Sequence, residues 1–217
     1  MVIAVSAHKI AYMAVPKAAC TSVKAALASI DPGAPVTLEQ VAQDHDLIHK
    51  AYHTRRFRPH RWRKYSDWWR FTVVRDPLKR LLAVYSDRVD GRKDLLKSPR
   101  IRRQSDVTDD PDPDFFFQNI ETYMQLSSVI KHHALPTRLF VGVQPLDFDA
   151  VYTVARIPDL QKDLSARVGH PVTVPRFNSS KRPLRLDDLT PRTQAVIGTF
   201  LQPEYEHLAA YYDNPFT

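Results

Sequence analysis

Cysteine is nearly absent from this chain of 217 residues: Cys20 stands alone, which excludes an internal disulfide and fits a reducing compartment. Glycine is scarce too, five in all, and the G-x-x-x-x-G-K-[ST] loop with which nucleotide kinases cradle phosphates is missing. No apolar run approaches the roughly 18–20 residues that a membrane-spanning helix needs. The opening stretch MVIAVSAHKIAYMAV has neither a charged leader nor a long apolar core, so we read it as folded structure and not as a signal peptide. Metal-ligand patterns are lacking as well: there is no H-E-x-x-H, and the adjacent His132 and His133 are poorly spaced for a shared ion. These absences lead us to expect a cytoplasmic protein that needs no metal.

What is present belongs to a globular protein, with 43% hydrophobic and 10% aromatic residues in a length suited to one domain, residues 1–217. A net charge of +7 favours anionic partners such as nucleotides, nucleic acid, acidic polysaccharide or a membrane surface.

Residues 8–15 form an apolar run that reads as a buried strand ended by Pro16, and 21–30 read as a helix closed by Asp31-Pro32-Gly33. A second helix is expected over 37–48, with Thr37 as N-cap and Gln40 as its capping-box partner. Residues 69–74 read as a second buried strand and 78–89 as the helix after it. The polar stretch 92–114, basic and then acidic, is expected to be a surface loop or lid. Helical pattern returns over 115–126, a third strand over 151–155, a helix over 159–168, and a closing helical segment over 191–212 broken near Pro203. Strands alternating with helices imply an α/β fold, its mostly parallel sheet covered by helices on both faces.

Two segments carry the chemistry. Ala14-Val15-Pro16-Lys17-Ala18-Ala19-Cys20-Thr21-Ser22 runs from strand through tight turn into helix. A helix N-terminus presents unpaired N–H groups and partial positive charge, which suit a phosphate or sulfate. Small residues at Ala18, Ala19 and Cys20 allow close approach, Lys17 adds a point charge, and Thr21 and Ser22 add hydroxyl donors. The second segment, Phe71-Thr72-Val73-Val74-Arg75-Asp76-Pro77-Leu78-Lys79-Arg80, ends a strand on an arginine whose planar fork can hold another phosphate. Asp76 reads as the cap of the following helix, behind Pro77.

Together the two segments resemble the sulfotransferases that use 3′-phosphoadenosine 5′-phosphosulfate (PAPS), in particular the carbohydrate-modifying branch of Golgi-type and bacterial family 2 enzymes. In that family a P-K-x-x-x-T-S/N element binds the 5′-phosphosulfate and an R-D/N-P-x-x-R-L-x-S-x-Y element binds the 3′-phosphate. The resemblance implies a single-domain, P-loop-like sulfotransferase fold, with PAPS as donor and a hydroxyl-bearing acceptor, among them anionic glycans. It further implies that Lys17, Ala18, Ala19, Cys20, Thr21, Ser22 and Arg75 bind the donor, with Lys17 also catalytic. Later landmarks of the family are echoed at His133 to Pro136, Tyr152, Arg176-Phe177-Asn178-Ser179-Ser180, Pro203-Glu204-Tyr205 and Tyr211-Tyr212. One position departs: the family's serine eight residues after the arginine is Ala83 here, and Ser86, three residues on and on the same helix face, is its candidate substitute. Cys20 matches the family's phosphate turn and is not expected to be a nucleophile.

Transfer to a hydroxyl needs a base, and histidine suits proton abstraction near neutral pH. His45, His49, His53 and His60 all lie between the two segments. His53, 22 residues before Arg75, is placed like the catalytic histidine of some uronic-acid sulfotransferases and is the first choice, with His49 as alternative. Glu39 and Asp46 are the carboxylate options. The stretch 55–65 interleaves arginines with Phe57, Trp62 and Tyr65, which suggests a surface for an acidic sugar chain, with rings stacking and arginines pairing. The competing reading is a non-catalytic protein that binds polyanions or nucleic acid through that stripe. No RNP-like aromatic motif supports nucleic acid.

Overall fold

The computed structural model describes residues 2–177 and 183–217. In chain order its elements are β1 (Ile3–Val5), β2 (Ile10–Met13), α1 (Cys20–Ile30), α2 (Leu38–Gln43), α3 (Asp46–Ala51), α4 (Pro59–Trp62), β3 (Trp69–Val74), α5 (Pro77–Val84), α6 (Pro113–Gln118), α7 (Ile120–Leu126), α8 (Ser128–Ala134), α9 (Arg138–Val141), β4 (Ala150–Thr153), α10 (Ile157–Val168) and α11 (Pro191–His207). The chain divides into two compact units, one of residues 1–75 and 137–179, the other of 76–136 and 180–217.

The first unit holds the sheet, ordered β1-β2-β3-β4. β2, β3 and β4 run parallel, while β1 pairs antiparallel with β2, so the sheet is mixed; β1 is a strand that the sequence reading did not mark. Alternation of side chains sends Tyr12, Phe71 and Tyr152 to one face, where they pack with Val23, Leu27, Leu160 and Leu164 of α1 and α10. Ala11 and Met13 face the other way, onto the buried Trp62 of α4. Buried Thr72 donates to the Met13 carbonyl at 2.8 Å, a further tie between β2 and β3.

Local chemistry sets the helix limits. Asp31, ahead of Pro32, is held extended and ends α1. The capping box of Thr37 and Gln40 is present at the start of α2. The single helix expected over 37–48 is instead two: Asp44 goes extended and its Oδ1 accepts from the Asp46 N–H at 2.9 Å, offering the backbone a turn in place of the next helical bond.

In the second unit, Asp76 caps α5 by accepting from the Lys79 N–H at 2.8 Å, with Pro77 in the first turn. A π-helical turn, Tyr85–Gly91, follows α5 directly. The stretch 92–114 is mostly irregular but sends Leu95, Ile101 and Val107 into the unit's core. α11 runs through Pro203 without the expected break. Proline there costs one backbone bond, and burial of Ile197, Leu201 and Tyr205 on the same helix offsets it.

Arg80, a residue that helix geometry alone would allow in solvent, is buried. Its Nη2 donates to the Leu135 carbonyl at 2.8 Å and to Glu204 at 3.3 Å, and its Nη1 to the His133 carbonyl at 3.1 Å. Removing one partner of a buried pair strands the other charge. We expect Glu204→Ala to lower the unfolding free energy by about 3–5 kcal/mol, read from the urea midpoint; a shift under about 1 kcal/mol would show that the two carbonyls suffice for the guanidinium.

Candidate active site

β2 ends at Met13, and the chain turns back into α1 within six residues, 14–19. Ala18 N–H donates to the Val15 carbonyl at 3.3 Å and closes the turn. Lys17 (φ 64°) and Ala19 (φ 55°) are both left-handed, a conformation that costs a side-chain-bearing residue about 1–2 kcal/mol. Ala19 is the N-cap of α1 and has no side-chain acceptor to give the first-turn N–H groups. A left-handed residue entering a helix turns successive N–H groups to one side, the arrangement that receives an anionic oxygen. Ala18 and Cys20 are buried, and Lys17 and Ala19 are partly exposed. The turn takes this shape without a glycine.

Arg75 follows β3 directly, and its Nη1 donates to the Lys17 carbonyl at 2.9 Å. The two segments singled out in the sequence are therefore in contact. β2 and β3 are parallel neighbours, so both cations stand beyond strand C-termini, where open α/β sheets take ligands.

Thr21 and Ser22 have different surroundings. Thr21 Oγ1 lies 3.0 Å from His49 Nε2, whereas Ser22 Oγ accepts from the Phe177 N–H at 3.3 Å. His49 Nδ1 is in turn 3.0 Å from Nζ of Lys24, which also donates to Thr54 Oγ1 at 2.8 Å. Lys24 is fully buried, and burial pushes its ammonium below the usual lysine range, partly opposed by Cys20. Lys24 went unmarked in the sequence, although a lysine amid the alanines of a buried helix is the sign by which it could have been found.

The other candidates lie as follows. His53 is exposed, one residue before the anchored Thr54. The ring of His45 packs on Phe177, with centroids 4.6 Å apart, and His60 is exposed on α4. Glu39 is exposed in the first turn of α2, its carboxyl held below the usual range by the Thr37 hydroxyl; Asp46 is partly buried at the start of α3. Ser86 lies in the second unit, in the π turn, and donates to the Leu82 carbonyl at 3.3 Å. Of the landmark at 176–180, residues 178–180 lie outside the described residues.

The stretch 55–65 departs from expectation. Its aromatics turn inward: Trp62 is buried, donates Nε1–H to the Asp147 carbonyl at 2.7 Å, and has Phe148 at 4.8 Å and Phe57 at 6.1 Å. They pack against the sheet, Trp62 fully and Phe57 and Tyr65 in part. Arg55, Arg56, Arg58, Arg61, Arg63 and Lys64 are exposed, none in an ion pair among the described residues. No described helix is long and apolar enough to cross a membrane.

A model of the sulfotransferase family matches residues 2–183, which include the turn, Arg75, the sheet and α10. Comparison with curated proteins and with solved structures returned no match.

The left-handed turn makes a stability prediction. Ala19→Gly should raise the unfolding free energy by about 1 kcal/mol, because glycine takes this conformation without steric cost. A urea midpoint lower than wild type at unchanged slope would refute strain at this position.

Proposed function

This chain belongs to the sulfotransferase family, so its reaction is a sulfuryl transfer, and we propose that the donor is PAPS and the acceptor a hydroxyl of a carbohydrate or glycan. The observation that carries the reading is the bond from Arg75 to the Lys17 carbonyl, which puts a guanidinium beside a strained, uncapped helix entrance. Such a pairing suits a ligand with two separate anionic groups, as PAPS has.

In the transfer, the acceptor oxygen attacks sulfur in line while the bond from sulfur to the bridging oxygen breaks. The acceptor loses its proton to a base, and charge collects on the 5′-phosphate that leaves. Lys17 and the N–H groups at the start of α1 would meet that charge, so that electrostatics and positioning supply most of the acceleration. Arg75 would hold the 3′-phosphate through its planar, multi-donor guanidinium. Ser86 is the proposed hydroxyl in place of the serine absent at Ala83. We assign the base to His53, since both ring nitrogens of His49 are engaged by Thr21 and Lys24. The exposed cations of 55–64 favour an anionic acceptor. A single cysteine fits a cytoplasmic enzyme.

Calorimetry with 3′-phosphoadenosine 5′-phosphate is the direct test. Wild type should bind it specifically, with ATP no substitute, and Lys17→Ala and Arg75→Ala should each weaken binding by about tenfold or more. No binding at moderate salt would refute the PAPS assignment; strongly salt-dependent polyanion binding without turnover would then identify a binding protein. His53→Ala should lower kcat by about 10²–10⁴-fold with nucleotide affinity unchanged. An unaltered kcat would move the base elsewhere.

A further inference from the structure

The helix that opens on the anion turn also buries a cation that the transfer scheme leaves unused. Lys24 has no exposed surface, and its Nζ reaches His49 Nδ1 at 3.0 Å and Thr54 Oγ1 at 2.8 Å. The far side of the same imidazole, Nε2, lies 3.0 Å from Thr21 Oγ1. A chain of contacts thus runs from Thr54 through Lys24 and His49 back to a hydroxyl in the first turn of α1.

The direction of the protons along this chain follows from the donor inventory. An ammonium only donates, so Nδ1 of His49 accepts and the ring proton sits on Nε2. Nε2–H then donates to the Thr21 oxygen. A hydroxyl that accepts on one side has its own hydrogen to give, and an anionic oxygen in the turn is the acceptor that rewards it most. The reverse arrangement, with the proton on Nδ1, would make Nε2 take the Thr21 hydrogen and leave only oxygen lone pairs toward the anion, which is repulsive. One buried charge thus decides whether the turn gains or loses a donor.

We infer that Lys24 is a positioning residue: acting through His49, it sets the Thr21 hydroxyl as a donor to the anionic group, a role that rests on the turn being the phosphosulfate site proposed above. His49 is then a fixed spacer and not the base, because one nitrogen already carries a proton and the other faces an ammonium. The cost of burying Lys24 is in keeping with such a role, since a helix needing only packing would place an apolar residue there.

Long-range proton–nitrogen correlation spectra of the labelled imidazoles, combined with calorimetry using 3′-phosphoadenosine 5′-phosphate, test this. At neutral pH wild-type His49 should be the neutral Nε2–H tautomer. Lys24→Met should shift it toward Nδ1–H and weaken nucleotide binding by about tenfold. Thr21→Val should weaken binding to a similar extent, Thr21→Ser should retain it, and Lys24→Met added to Thr21→Val should cost nothing more. A wild-type Nδ1–H or imidazolium overturns the inference, and it does so even where Lys24→Met fails to fold. Unchanged affinity in Lys24→Met, with wild type binding normally, overturns the positioning role alone. A wild type that binds no nucleotide overturns the phosphosulfate assignment itself, whatever the tautomer.

Discussion

A turn with two left-handed residues and no glycine needs something to hold it, and here the hold comes from the neighbouring strand. Arg75, placed just past β3, grips the carbonyl of Lys17, while the turn's far end is continuous with α1, all of whose residues but Ser29 are buried. The strained backbone cannot relax without breaking one of these attachments. What the strain yields is direction: N–H groups of the α1 entrance face one way, with a lysine and an arginine beside them. Register between β2 and β3 holds this contact in place, because a slip of one residue would send Arg75 to the opposite face.

Two cations are drawn into the interior, and their settings differ. Arg80 is met by a carboxylate and two carbonyls within its own unit, all through its Nη groups, while its buried Nε has no partner among the described residues. Lys24 meets no carboxylate; its neighbours are an imidazole and a hydroxyl. Burial lowers the proton affinity of both. For Arg80 the pairing explains why it is tolerated, whereas for Lys24 the imidazole carries its influence outward to Thr21. The basic stretch 55–65 divides its labour in another way, spending its rings on the sheet and its charges on solvent.

Much of the fold could be read from local pattern. β3 lies where its apolar run placed it, α1 ends at the Asp-Pro-Gly signal, the Thr37–Gln40 capping box forms, and Asp76 caps the helix behind Pro77. Each depends on residues adjacent in the chain, so sequence alone carries the information. The break after Gln43 escaped because an Asx turn and one more helical turn compete at nearly equal cost. The short β1 escaped because three residues hold too little pattern to register. Continuity of α11 through Pro203 depends on core packing that a local rule for proline does not include.

The site divides along the same line. By itself the sequence determined the residue types at the anion turn, the arginine after the second strand, the α/β class and the family resemblance, because motifs are contiguous and their chemistry is local. Only the tertiary structure decided which partners those residues meet: that Arg75 grips the Lys17 carbonyl 58 positions away, that Lys24 and His49 line up behind Thr21, that Arg80 is buried, and that Trp62 faces the core. Such contacts depend on strand register and helix packing summed over the whole unit, and no single segment of the chain encodes them.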